Sequence, residues 1–335
     1  MTKTKKRTLI VAGILISAGF LWLALRGTNF AEIGQSLAAA NLWMIAPMLV
    51  AFGAHYWTKA VRWRLLLLPI KDATSRALFR PMMIGFFGNN VLPAHLGEFV
   101  RMHLGARQLS LRNSEVLATI ILERMFDFLS VVLFLGVVLV LGRDVPNDLI
   151  QIGYITAIVG LGFMIVAGLY VTWPRQFLAT ARRMTFFLPT KLQNAALHQL
   201  EVGAMGLQSL RRLPLLVGIV FTSVLQWGFM GLTIYLSLVA VGLDVRLSPA
   251  FVVLAATTFG VTLPGAPGFL GTVQAAYVLA LIPYGVSRAD AFAASAVFHV
   301  PTYLAVTLLG LWLLKGAGYD VAEISRDAES AAEAE

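Results

Sequence analysis

The sequence predicts an all-α polytopic membrane protein with about six full spans and two re-entrant helical hairpins in inverted-topology repeats. Three observations lead there. Of the 335 residues, 58% are hydrophobic types and 13% are charged, whereas a soluble domain carries about 25% charged residues. Several apolar runs reach the roughly 20 residues that a membrane crossing needs. Two shorter apolar runs end in Leu92-Pro93-Ala94-His95-Leu96-Gly97 and Leu263-Pro264-Gly265-Ala266-Pro267-Gly268, each with Leu-Pro four residues ahead of a Gly. Such breaks free backbone groups that lipid cannot satisfy, so they belong where protein or water surrounds them. A matched pair of broken segments points to the central site of a carrier.

Lys3, Lys5, Lys6 and Arg7 precede an apolar run from Leu9 to Leu25. That run is longer than the roughly 7–15 apolar residues of a signal peptide and reads as a retained span near 8–26. A second span lies near 41–58 and ends in Lys59, Arg62 and Arg64. The run from Met82 to Pro93 has 12 residues. It covers about 18 Å of a core about 30 Å thick and reads as re-entrant. The piece from His95 to Glu115 is polar and basic, and Val116–Leu141 and Leu149–Trp173 are long enough to span. Residues 174–212 mix Phe177, Phe186 and Phe187 with Arg182, Arg183 and Lys191, the pattern of helices on a membrane surface. Leu213–Leu243 spans. Leu247–Ser287 contains no Asp, Glu, Lys or Arg but is broken at Pro264–Gly268, and Asp290–Leu314 spans last. The expected organisation is one transmembrane domain, 1–318, with halves of roughly 41–173 and 213–315. A disordered acidic cytoplasmic tail, 319–335, follows.

Charge sets the orientation. With the N-terminus in the cytoplasm and both broken regions re-entrant, 21 of the 26 Lys and Arg residues fall on the cytoplasmic side. Four (Arg26, Arg143, Arg246, Arg288) fall outside and Arg124 lies within a span, in keeping with the positive-inside rule. The first hairpin then enters from the cytoplasm and the second from outside, which makes the halves inverted repeats. Leu133–Gly136 and Thr307–Gly310 are a faint internal match. The net charge of +9 is spread between apolar runs, so anionic lipid headgroups, not nucleic acid, are the expected partner. The absence of cysteine excludes thiol chemistry and Cys-ligated metal. No P-loop and no His-Glu-x-x-His motif occurs. No cofactor, metal or enzymatic activity is expected.

The strongest local signal is Glu123-Arg124-Met125-Phe126-Asp127, about two turns inside an apolar helix. Each charge near a span's centre costs about 2.5–3.5 kcal/mol on insertion scales. Glu123 and Asp127 share a face, and Arg124 is three before Asp127. The cluster reads as an internal lock of the bundle, as the wall of a polar cavity, or as both. Glu98 and Arg101 lie just after Gly97, where a helix N-terminus attracts phosphate and Arg101 can clamp it; an ordinary interfacial arginine is the other reading. Asn89 and Asn90 satisfy broken backbone or contact a headgroup. His95 and His103 read as interfacial polar residues or as ligands. His299 lies within the last span and reads as a hydrogen bond to a neighbouring helix or as part of the cavity, with Gln226 and Gln274 as weaker candidates of the same kind; His95, Gln274 and His299 are counted among the expected substrate-binding residues. Pro93, Gly97, Pro264, Pro267 and Gly268 are the hairpin breaks.

Three motifs in order resemble the flippase-like family that includes the membrane region of lysylphosphatidylglycerol synthases. They are Gly88-Asn89-Asn90-Val91-Leu92-Pro93-Ala94-His95-Leu96-Gly97-Glu98-Phe99-Val100-Arg101, Glu123-Arg124-Met125-Phe126-Asp127, and Leu263-Pro264-Gly265-Ala266-Pro267-Gly268-Phe269-Leu270-Gly271-Thr272. His95 stands where the family often has Arg, and Gln274 stands near a frequent Glu. The resemblance implies two re-entrant hairpins in inverted halves and movement of polar lipids between leaflets. The chain ends about twenty residues after its last span, so the aminoacyl-transfer domain of some relatives is not expected.

The expectation is therefore a lipid flippase-like carrier in the bacterial inner membrane, multi-pass, with both termini cytoplasmic. It moves a polar-headgroup phospholipid or other anionic lipid between leaflets. The alternative is an ion-coupled transporter of a small soluble anion. Arg101 and Arg124 are expected to hold phosphate; Glu98, Glu123 and Asp127 orient these arginines or pair with a cationic headgroup. Membrane phospholipids are the expected partners, with a homo-oligomer or a separate lipid-synthesising enzyme as the further protein partner.

Overall fold

A computed structural model describes residues 3–92, 96–141, 146–186, 189–190, 192–194, 197–198, 200–201, 212–262, 267–321 and 323. Pro93, His95 and Pro264 lie outside the described residues. Among those described, all regular structure is helical. α1 (Lys3–Leu25) and α2 (Phe30–Ala39) form one apolar path bent by 82°. The bend is built by Gly27, at φ 71°, and by Asn29, whose side chain accepts the Ala31 N–H to cap α2.

α3 (Ile45–Leu67) runs well past the expected end at residue 58, with Lys59 and Arg62 buried inside it. α4 (Ser75–Val91) has 17 residues, starting at a Thr74 cap ahead of the expected Met82. α5 (Gly97–Leu109) packs back on α4. Gly88 lies opposite Gly97, and Gly85 opposite Arg101, so the two helices are antiparallel. A Cβ at Gly97 would overlap the Gly85 carbonyl oxygen and stand 2.5 Å from the Asn89 backbone nitrogen. Only glycine lets the two backbones approach this closely.

α6 (Asn113–Leu141) has 29 residues, about 44 Å of helix. α7 (Asn147–Thr172) and the basic α8 (Pro174–Met184) follow. The second half holds α9 (Leu213–Ala240), α10 (Leu247–Gly260), a 3-10 turn at Pro267–Phe269, α11 (Thr272–Leu281) and α12 (Arg288–Lys315). Gly268, Phe269 and Gly271 all have positive φ, at 76°, 57° and 86°. For a bulky residue such as Phe269 this is a strained conformation. A side chain at Gly271 would run into the Ser17 carbonyl of α1, so glycine there serves both the turn and the α1 contact.

Three described stretches are long and apolar enough to cross a membrane: Leu213–Ala240, Pro267–Tyr284 and Arg288–Lys315. The bent α1–α2 pair makes a fourth. Large apolar side chains such as Ile158, Phe221, Leu308 and Trp312 are exposed on the outside of the bundle, as a lipid-facing surface requires. The protein is a multi-pass helical membrane protein.

Two of the apolar cores each draw on distant parts of the chain, the first including Val306 of α12 and the second Val131 and Leu135 of α6. Trp63, Met82, Met102 and Val116 join α3 to α6, while Phe251, Tyr277 and Phe298 join α10 to α12. Met230 of α9 touches both cores. α3 lies along α9; α4 packs on α12, and α10 packs on α6. Gly310 is pressed against Phe87 and Met83 of α4, whereas Gly136 has open space at its Cβ position. The faint Gly136/Gly310 sequence match is therefore not matched in packing.

Candidate functional site

Where the halves meet, α3, α5 and α6 bring four cations and three carboxylates together. Asp127 receives Lys59 Nζ at 3.0 Å and Arg62 Nη2 at 2.5 Å. Gln226 Nε2 and Trp227 Nε1 donate to it at 3.2 and 3.0 Å. Glu123 receives both terminal nitrogens of Arg101, at 2.9 and 2.7 Å, together with Lys59 at 2.8 Å. The Arg101 guanidinium stacks 3.9 Å from the centre of the Trp63 ring, and Trp63 Nε1 donates to Thr119. Lys59, Arg62, Arg101, Glu123 and Asp127 are all buried. Removing such charges from water is costly, and the pairing and the many donors offset that cost.

Arg124 differs from the others. Its side chain is 48% exposed, and it reaches Glu123 at 3.0 Å, Glu98 at 3.5 Å and Asp127 at 3.6 Å. It lines a cavity of about 570 Å³ with Lys59, Glu98, Asp127, Asn89, Asn90 and Gln226 at the charged end. Phe52, Ile234, Leu254 and Val306 form apolar wall. His299, Tyr303 and Gly268 line the second hairpin's side. The site is thus amphipathic, charged at one end and apolar along its walls.

The expected residues distribute unevenly. Glu98, Arg124, Asp127, Asn89, Asn90, Gly268 and His299 line the cavity. Arg101 and Glu123 sit behind that wall, each engaged by the other. Asn90 donates to Thr307 at 3.0 Å and ties α4 to α12. Gln274 also lies behind the wall, where its Oε1 accepts the Gly271 N–H at 2.7 Å. Its Nε2 is 3.1 Å from His299 Nδ1, and His299 Nε2 is 2.9 Å from the Gly268 carbonyl. The amide donates to Nδ1, so Nε2 carries the proton and donates to Gly268. These bonds tie the strained turn of Gly268 and Gly271 to α12.

Sequence reasoning missed Lys59 and Arg62, which it set on the cytoplasmic flank of a span ending at 58. α3 instead continues, and they turn inward on the face that also carries His55. His55 Nδ1 donates to the Gln226 backbone carbonyl at 2.9 Å. The spacing 55, 59, 62 on one helical face was the available signal.

Residues 10–310 match the family described as the lysylphosphatidylglycerol synthase TM region. The chain belongs to that family. A UPF0104 membrane protein of Methanocaldococcus jannaschii is 25% identical over 227 residues, covering 67% of this chain and 91% of the relative. A UPF0104 membrane protein of Methanothermobacter thermautotrophicus is 24% identical over 329 residues, covering 92% of this chain and 93% of the relative.

Proposed function

We propose that this chain carries a polar-headgroup lipid between membrane leaflets, with the headgroup in the cavity and the acyl chains left in the bilayer. One observation carries the reading. A buried ion network presents a single half-exposed guanidinium, Arg124, to a cavity of about 570 Å³ whose walls are otherwise largely apolar. That volume lies within the usual range for a small-molecule site. Arg124 holds the phosphate, while Arg101 and Arg62 hold Glu123 and Asp127 in place.

The same reading has six full spans and two re-entrant hairpins, α4–α5 and α10–α11, in inverted halves of roughly 41–173 and 213–315. The packing of α4 on α12 and of α10 on α6 supports it, because exchanging the halves exchanges these contacts. The proposed location is the bacterial inner membrane with cytoplasmic termini. Setting aside the buried Lys59, Arg62 and Arg101, 18 basic residues still fall on the cytoplasmic side against four outside. The test is reconstitution into liposomes with a leaflet-specific assay of labelled phospholipid. The expected result is transfer that depends on Arg124. Uptake of inorganic phosphate with no lipid transfer would instead favour a soluble-anion carrier.

A further inference from the structure

We propose that His299 is a proton-operated latch on the second hairpin: taking up one proton from the cavity parts it from Gln274 and frees the turn at 267–271. The latch does not depend on what the cavity carries. Every hydrogen in it has a fixed place. The Gly271 N–H is a donor, so the Gln274 atom that meets it at 2.7 Å is Oε1. The other end of the amide, Nε2, is a donor and stands 3.1 Å from His299 Nδ1, which therefore accepts. The Gly268 carbonyl only accepts, so His299 Nε2, 2.9 Å away, carries the hydrogen. One form of the ring satisfies all three bonds together: neutral, with its hydrogen on Nε2. A proton added at Nδ1 sets N–H against N–H. Turning the Gln274 amide over gives Nδ1–H an acceptor but sets the NH₂ against the Gly271 N–H. Protonation thus removes one bond of the three whichever way the amide lies.

Strain gives that loss a consequence. Gly268, Phe269 and Gly271 hold φ at 76°, 57° and 86°. A non-glycine residue in that region persists only while its surroundings over-determine it. Tyr303 packs on Gly268, and its ring stands edge-on to His299 at 6.1 Å. His299 lines the cavity and is only half-buried, so the proton has a route to it. Across the cavity stand His55, Lys59, Glu98, Arg124 and Asp127. On the near side the titratable groups are Tyr303 and, on α11, Tyr277, whose hydroxyl pairs with Ser237. Among the described residues α4, α9 and α10 bring only uncharged side chains to the cavity. α1 meets α12 at Arg288, and α2, which carries Glu32, meets it at Asp290; both points lie at least about 13 Å along the helix from His299.

The experiment uses the purified full chain in lipid nanodiscs at about pH 7.5 and about pH 4.5, which bracket the ordinary imidazole value of about 6.5. Nitrogen NMR of labelled histidine reads the ring, with His299 assigned by its loss in His299→Gln. Amide exchange over 267–275, corrected for the intrinsic effect of pH, reads the turn. The neutral Nε2–H form is expected at the higher pH. At the lower pH the ring should gain its second hydrogen and protection should fall about tenfold, the effect of one or two hydrogen bonds. His299→Gln should show the same corrected protection at both. Gln274→Glu offers one oxygen to the Gly271 N–H and the other to a charged His299, so its turn should stay protected at the lower pH; this variant decides the matter if His299→Gln does not fold. A hydrogen on Nδ1 at the higher pH, a ring still neutral at the lower, or unchanged protection once it is charged overturns the proposal. So does a wild-type fall in protection in either variant.

Discussion

Arg101 and Glu123 form a two-point salt bridge in which Nη1 meets Oε1 at 2.9 Å and Nη2 meets Oε2 at 2.7 Å. One belongs to α5 and the other to α6, so this pair fixes the first hairpin to the charged helix. The planar fork matches the carboxylate, and the Trp63 ring supports its face.

Arg101→Met leaves Glu123 buried with one fewer cation. A loss of about 3–5 kcal/mol is expected, as for other buried pairs cut on one side. Arg101→Lys should fall between, because a point charge cannot serve both oxygens at once. Thermal unfolding in detergent measures both. A lysine variant as stable as wild type would remove the fork from the account.

Arg124→Gln should behave differently. The side chain is half exposed, so the stability change is expected to stay within about 1 kcal/mol. Lipid transfer in liposomes should nonetheless drop at least tenfold. The comparison with Arg62→Gln is informative, since Arg62 is fully buried against Asp127 and Ser223. That variant is expected to lose folded protein. Wild-type transfer in Arg124→Gln would exclude the guanidinium from headgroup binding.

Gly97→Ala places a methyl group against the α4 backbone. Overpacking of this kind costs about 1–3 kcal/mol or more. It is expected to push α5 off α4 and speed amide hydrogen exchange in α4. Gly136→Ala is the control, because nothing stands within 4 Å of its Cβ position. It should be neutral or slightly stabilising, by about 1 kcal/mol at most. Equal exchange in the two variants contradicts the close-packed hairpin.

A pH effect is expected at the start of α6, ahead of the apolar span that begins at Val116. The Arg112 backbone N–H donates to Glu115 at 2.8 Å, and the Arg112 side chain pairs with the same carboxylate at 3.2 Å. These contacts hold the Glu115 carboxyl below its usual value. The stabilisation is therefore present above the ordinary glutamate value of about 4.3 and is lost as pH falls through the lower folded value. Amide exchange in the first turn of α6 should rise over that window. Glu115→Gln should show no such rise.

The helices were largely legible because hydropathy and breaks are local properties. The charged run on α6 was legible too, since Glu123, Arg124 and Asp127 stand out against an apolar background. Their partners were not. Lys59 and Arg62 sit at the edge of an apolar run, where cations are normally interfacial. Only tertiary packing draws α3 far enough along α9 to bury them. Arg101 was singled out near the first hairpin as a phosphate ligand, but its two-point contact with Glu123 joins residues 22 apart and leaves no local trace. The right-angled turn between α1 and α2 was read past for a related reason: Gly27 and Asn29 are weak punctuation in an otherwise apolar stretch.

The distance along the chain between Lys59 and Asp127, 68 residues, has a bearing on biosynthesis. α3 leaves the ribosome with two cations whose counter-ions have not yet been translated. Until α6 emerges, inserting α3 alone carries an unfavourable contribution of about 2.5–3.5 kcal/mol for each of them. Insertion of α3 is therefore expected to be more complete when α6 follows it than when α3 is made alone, because Glu123 and Asp127 then offset that cost.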